Sequence, residues 1–180
     1  MKSKLLNKVL ILIAVVFFLL GQISYCQSDF IVNKSHLDYL YKEIVVDGKE
    51  MAIIHIYSNA PDYNYVGDDD EGYACVDDAA RAAIFYLEYF KAYNDSSSLH
   101  KYYNLVDFLI YMQSENGYFY NFIWEDNSIN KTFKTSIAEP NWWSWRALWA
   151  LTEGYNLLIT PENDRSTRVK KSISQIIKNI

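Results

Sequence analysis

Six carboxylates fall within eleven residues, as Asp68-Asp69-Asp70-Glu71 and then Asp77-Asp78. Acids packed this closely repel one another unless solvent, a cation or a substrate makes use of them. The first four end a glycine-bearing loop and read as solvated surface. The second pair sits in Ala74-Cys75-Val76-Asp77-Asp78-Ala79-Ala80-Arg81, where small apolar neighbours imply close packing. At the head of a helix both acids are favoured by the macrodipole at ~0.3–1 kcal/mol each, and Asp77 can pair with Arg81 at i, i+4. Asp78, about 100° further round the helix, is then the less compensated acid. A carboxyl in a desolvated cleft can serve as a general acid, so Asp78 and Asp77 are candidate catalytic residues. Glu139, just ahead of a Trp-rich stretch, is the best second acid in the chain. A purely structural pairing of these acids with Arg81 and loop amides is the competing reading.

The other chemistry is aromatic. The chain holds 16 Tyr, 9 Phe and 5 Trp, 17% of its residues, more than a small core easily buries. Two stretches place rings beside amides and charges: Tyr118-Phe119-Tyr120-Asn121-Phe122-Ile123-Trp124-Glu125-Asp126 and Trp142-Trp143-Ser144-Trp145-Arg146. Sugars bind such mixed surfaces, C–H faces on the rings and hydroxyls on the polar groups. Trp142 and Trp143, in a first helical turn, are the better site candidates, while Trp149 reads as helix core. Metal chemistry is not expected. A calcium loop starting at Asp62 fails in register, because Val66 and Tyr73 fall on ligand positions five and twelve. His36, His55 and His100 lie far apart with no Cys or His at zinc spacing. No nucleophile elbow, phosphate loop or dinucleotide fingerprint occurs, so no cofactor is expected either.

The elements that must position these residues follow from periodicity. Apolar spacing predicts helices over 35–44, 73–93 and 97–114, a third strong helix opened by Glu139-Pro140-Asn141, and a fourth capped by Thr160-Pro161-Glu162. Val169, Ile173, Ile176, Ile177 and Ile180 lie along one side of the last. Asp47-Gly48 marks a turn, 51–57 and 118–124 read as extended, and 59–72 as loop. The expected fold class is all-α: helical hairpins with short extended segments.

Ahead of this lies a basic start, Lys2, Lys4 and Lys8, then an unbroken apolar run over 9–20 and Ser24-Tyr25-Cys26. That pattern is a secretory signal peptide, giving residues 1–26 as signal and 27–180 as the domain, secreted or periplasmic. Its removal takes away three basic residues and no acids, moving the net charge from −5 to −8. A chain so acidic, with no Lys/Arg cluster before its C-terminal helix, is not expected to bind nucleic acid. Cys75 would be the only thiol left, so no internal disulfide forms.

Three blocks in order, Glu71-Gly72-Tyr73-Ala74-Cys75-Val76-Asp77-Asp78-Ala79-Ala80-Arg81, Asn116-Gly117-Tyr118-Phe119-Tyr120-Asn121-Phe122 and Trp145-Arg146-Ala147-Leu148-Trp149, resemble the six-hairpin glycosidase superfamily. The resemblance covers roughly 59–155. It implies part of an (α/α)6 toroid, a carbohydrate partner, Asp77 or Asp78 as catalytic or sugar-binding carboxylates, and Asn121, Trp145 and Arg146 as subsite residues; the aromatic stretches themselves add Trp124, Trp142 and Trp143 as substrate-binding candidates. Such a toroid needs about twelve helices, so the chain resembles its N-terminal portion, implying self-association or a missing C-terminal half. The expected function is an exported glycoside hydrolase-like protein working by carboxylate acid/base chemistry. The alternative is a non-catalytic glycan-binding or scaffolding module. Glu139 and Asp78 facing one cleft would favour the enzyme.

Overall fold

The computed structural model describes residues 32–158 and 164–180, so the signal-peptide reading of 1–26 and the Thr160-Pro161-Glu162 cap lie outside the described residues. The chain from Lys34 to Ile180 forms one unit. It starts with α1 (Ser35–Leu40), which passes directly into β1 (Tyr41–Val46), and β1 pairs antiparallel with β2 (Lys49–Ile54). The helix predicted over 35–44 therefore ends at Leu40. Ile44, Val45 and Val46 are β-branched and suit a pleated surface. Asp47 and Gly48 then take φ of 51° and 74°, the two-residue turn whose twist matches a hairpin. The register Val46↔Lys49 to Tyr41↔Ile54 leaves all of Met51, Ala52, Ile53 and Ile54 buried.

Two smaller ladders follow. β3 (Tyr57–Asn59) and β4 (Asn64–Val66) form a hairpin that starts at the end of the extended stretch and runs into the stretch read as loop, and β5 (Ala74–Cys75) pairs with β6 (Phe122–Ile123). Gly72 fits against β6 only because it lacks a side chain: at φ 114°, a Cβ there would lie 2.2 Å from the Ile123 carbonyl oxygen. The all-α expectation, helical hairpins as part of an (α/α)6 toroid, is thus corrected to a mixed α/β fold with three two-stranded antiparallel sheets. The reason is local. The segments between helices carry branched and aromatic residues that pair with one another, where linkers between helical hairpins would carry breakers.

The remaining helices are α2 (Val76–Tyr93), α3 (Ser96–Tyr111), α4 (Trp142–Glu153), the single turn α5 (Tyr155–Leu158) and α6 (Asp164–Ile177). α2 packs along α3 and α4, and β2 lies against α3. The core between them holds Ile53, Tyr86, Leu87, Leu105, Phe108 and Leu109, all out of solvent. Two ionic ties fasten the outer helices. Asp38 of α1 accepts from Lys34 and Lys101 at 2.6 Å and from the Tyr86 hydroxyl at 2.8 Å. Burial pushes its carboxyl up, but those bonds outweigh burial and hold it below the usual carboxylate range. Asp107 of α3, almost fully buried, accepts from Arg165 at 2.8 and 3.0 Å and from Arg168 at 2.8 Å, pinning α6. The apolar side of α6 is largely covered by its own chain. Val169 and Ile176 are buried, Ile173 packs against the core, and Ile177 and Ile180 stay exposed.

Candidate functional site

The head of α2 is built by its neighbours. Cys75 sits at the N-cap with extended backbone, and its Sγ accepts from the Asp78 amide at 3.4 Å. This thiol is buried and free, and burial pushes it well above its ordinary pKa. Val76 donates to the Asn121 carbonyl at 2.7 Å, and the Asp77 amide donates to Asn121 Oδ1 at 3.2 Å. Asn121 Nδ2 donates in turn to the Thr135 carbonyl at 3.1 Å. Both polar atoms of that buried side chain thus bond backbone groups, and it helps to cap α2.

Asp77 and Asp78 do come together with two arginines. Asp77 Oδ2 lies 3.3 Å from Arg81 Nη2, and its Oδ1 accepts from Arg146 of α4. Asp78 Oδ1 also accepts from Arg81. The expected Asp77–Arg81 pair forms, but Arg81 serves both acids and Arg146 brackets the more buried one, with the Asp77 side chain at 14% exposure and Asp78 at 31%. The sequence gives no spacing rule that links Asp77 to a residue 69 positions on. Only the packing of α4 on α2 does.

Arg146 carries the cluster to a row of rings. On α4, Trp142, Arg146 and Trp149 follow one another at i, i+4 and i+7, with Trp145 beside them. Trp142 is 56% exposed, Trp145 39% and Trp149 53%. Trp143, on the opposite side, is 1% exposed and donates its indole N–H to the Phe119 carbonyl at 2.8 Å. Two readings are corrected here: Trp143 is core and Trp149 is surface. The small Ala147 and Ala150 share the buried face with Trp143 and let α4 approach α2 closely. The bulky tryptophans are left outside.

The remaining candidates lie apart. Glu139 is exposed, and its backbone carbonyl accepts from Ser144 Oγ at 2.8 Å. It does not line the hollow of about 360 Å³ that Asp78 and Arg81 border. Trp124 lines a different cavity of about 440 Å³ with Asp68, Asp69, Glu125 and Asp126. There Asp68 accepts from the amides of Asp70 and Glu71, and Asp126 from that of Ser128. Among the described residues no group of His, Cys, Asp and Glu could hold a metal ion.

One residue escaped sequence reasoning. His55 is buried, with neither ring nitrogen hydrogen-bonded, and burial together with Lys42 pushes its imidazole down to about 4. Its signal was present: Ile53-Ile54-His55-Ile56 sets a titratable ring in an apolar run. No protein-family model matches the chain, and no curated protein matches it.

Proposed function

We propose that the chain is an exported carbohydrate-binding protein that holds a poly- or oligosaccharide along α4. The observation that carries this reading is the row of three exposed tryptophans with Arg146 among them, tied through Asp77 to Asp78 and Arg81. Trp142 and Trp149 are separated by about 10 Å along the helix axis at ~1.5 Å per residue, a span that linked sugar rings cover. Rings supply stacking surface, and the adjoining carboxylates and guanidinium groups supply acceptors and donors for hydroxyls. Monomeric proteins seldom leave so contiguous an aromatic patch open without a use for it. The resemblance of the three sequence blocks to six-hairpin glycosidases points to the same ligand class.

The test is affinity for a panel of soluble polysaccharides. Trp142→Ala and Trp149→Ala are each expected to weaken binding about tenfold or more, because stripping one anchor ring removes its buried area. Unchanged affinity in both variants would sink the reading. Hydrolysis is the second reading, favoured by the partial exposure of Asp78 at the edge of a hollow. It expects Asp78→Asn to lower release of reducing ends by ~10²-fold or more. The separation of Glu139 from that hollow leaves this reading without its second acid, which is why binding is preferred.

A further inference from the structure

His55 is 4% exposed, and neither Nδ1 nor Nε2 has a hydrogen-bond partner. Folded proteins pair nearly all of their buried polar atoms, so an exception calls for an explanation. The β3–β4 hairpin covers this ring. Tyr65 of β4 stacks on the imidazole with ring centroids 3.8 Å apart and planes at 5°, while Tyr73 tilts against it at 5.4 Å. Two hydroxyl bonds tie the hairpin to α1 as well: Tyr65 donates to the Tyr39 carbonyl at 2.6 Å, and Tyr39 donates to the Tyr63 carbonyl. No residue from Tyr57 to Val66 is buried. His55 itself is pinned, since its amide donates to the Leu40 carbonyl at 2.9 Å and its backbone bridges to Ala74.

We propose that the β3–β4 hairpin is an acid-operated flap, closed over His55 while the imidazole is neutral and lifted away once it takes up a proton. A charged imidazole carries two N–H donors and needs an acceptor or water at each; the closed flap supplies neither. The groups around the ring give no relief. Lys42 of β1 repels the charge. Tyr39, Tyr65 and Tyr73 are neutral, and Asp78 and Arg81 of α2, which border the hollow beside His55, are paired with each other. His36 of α1 is the other titratable ring against the hairpin, edge-on to Tyr63 at 5.9 Å, but it is exposed and takes a proton without anything having to move. Because the backbone holds His55 in place, the cover is what must move, and it gives up no buried residue of its own in doing so. Burial, and then Lys42, hold the closed imidazole down at about 4, against 6.5 for a solvated one. Falling pH therefore favours the open form progressively through that window. The flap rests on the packing around His55 and is independent of the carbohydrate reading.

The experiment is hydrogen exchange on the intact chain at about pH 7.5 and about pH 5, with each amide's rate divided by its intrinsic rate at that pH. A two-stranded hairpin on its own is marginally stable in water, so the β3–β4 ladder frays once lifted and its amides report the opening. Their protection is expected to fall about thirtyfold between the two conditions. It should start from a level well below that of α2 and α3 and depend less on denaturant, the mark of local opening. His55→Phe, which keeps a flat ring that cannot be charged, is expected to abolish the fall, and His36→Gln to leave it intact. Three results would each overturn the flap. One is hairpin protection that holds steady between the two conditions. Another is a fall that persists in His55→Phe or vanishes in His36→Gln. The third is hairpin amides that exchange only together with those of α2 and α3, which is global unfolding.

Discussion

Single residues in this molecule are held under tension that can be measured. The two unpaired nitrogens of His55 cost ~1–3 kcal/mol each while buried, so His55→Phe should raise stability at neutral pH by about 1–2 kcal/mol in denaturant melts. The imidazole also makes stability depend on pH. Its folded pKa, about 4, lies below the unfolded value of 6.5. The unfolded chain therefore takes up a proton first as pH falls, and stability that is complete above 6.5 is lost on the way down to about 4. The full swing is about 3 kcal/mol. His55→Phe should flatten the stability profile across that window; a profile as steep as the parent's would show that other groups set it. Asp77 is tied more conventionally. Asp77→Asn loosens both arginines and, in a site only partly shielded from water, should cost about 1–2 kcal/mol.

At the scale of elements, α2 and α3 were legible because their apolar residues recur at three and four over many turns. The Asp47-Gly48 hairpin was legible because only residues tolerant of positive φ make that turn. Two features were not. The 35–44 segment carries helical spacing at Leu37, Leu40 and Tyr41, and pairing with β2 overrides it from Tyr41 onward. On α4, periodicity gave the correct faces but not which one points inward. Three tryptophans outweigh two alanines on any hydrophobicity count, yet the alanine side is the one that fits against α2. Likewise the Asp107 clamp on Arg165 and Arg168 bridges more than fifty residues and has no local signature. Asp107→Ala removes the buried acceptor that Arg165 and Arg168 share, leaving Arg168 only its pair with Asp164 among the acids, and should cost roughly 3 kcal/mol. Hydrogen exchange should show the α6 amides losing protection before those of α2 and α3; uniform loss across all three helices would contradict a clamp that acts on α6.

For the whole molecule, export is the expectation that the described residues leave open, because the sequence argument for it lies in residues 1–26. No helix among the described residues is long and apolar enough to cross a membrane. The secreted product should begin near Gln27 on N-terminal sequencing, and recovery of an uncleaved, membrane-extracted chain would overturn the signal-peptide reading. Such processing would leave Cys75 as the sole thiol. Buried under β6 at the N-cap of α2, and held in its unreactive protonated form, that sulfur meets an alkylating reagent only when the head of α2 opens. The rate at which it is modified in native buffer is consequently a built-in clock for the same few residues that anchor Asp77 and Asp78. A bound ligand that grips those acids would slow the clock without any label having been introduced.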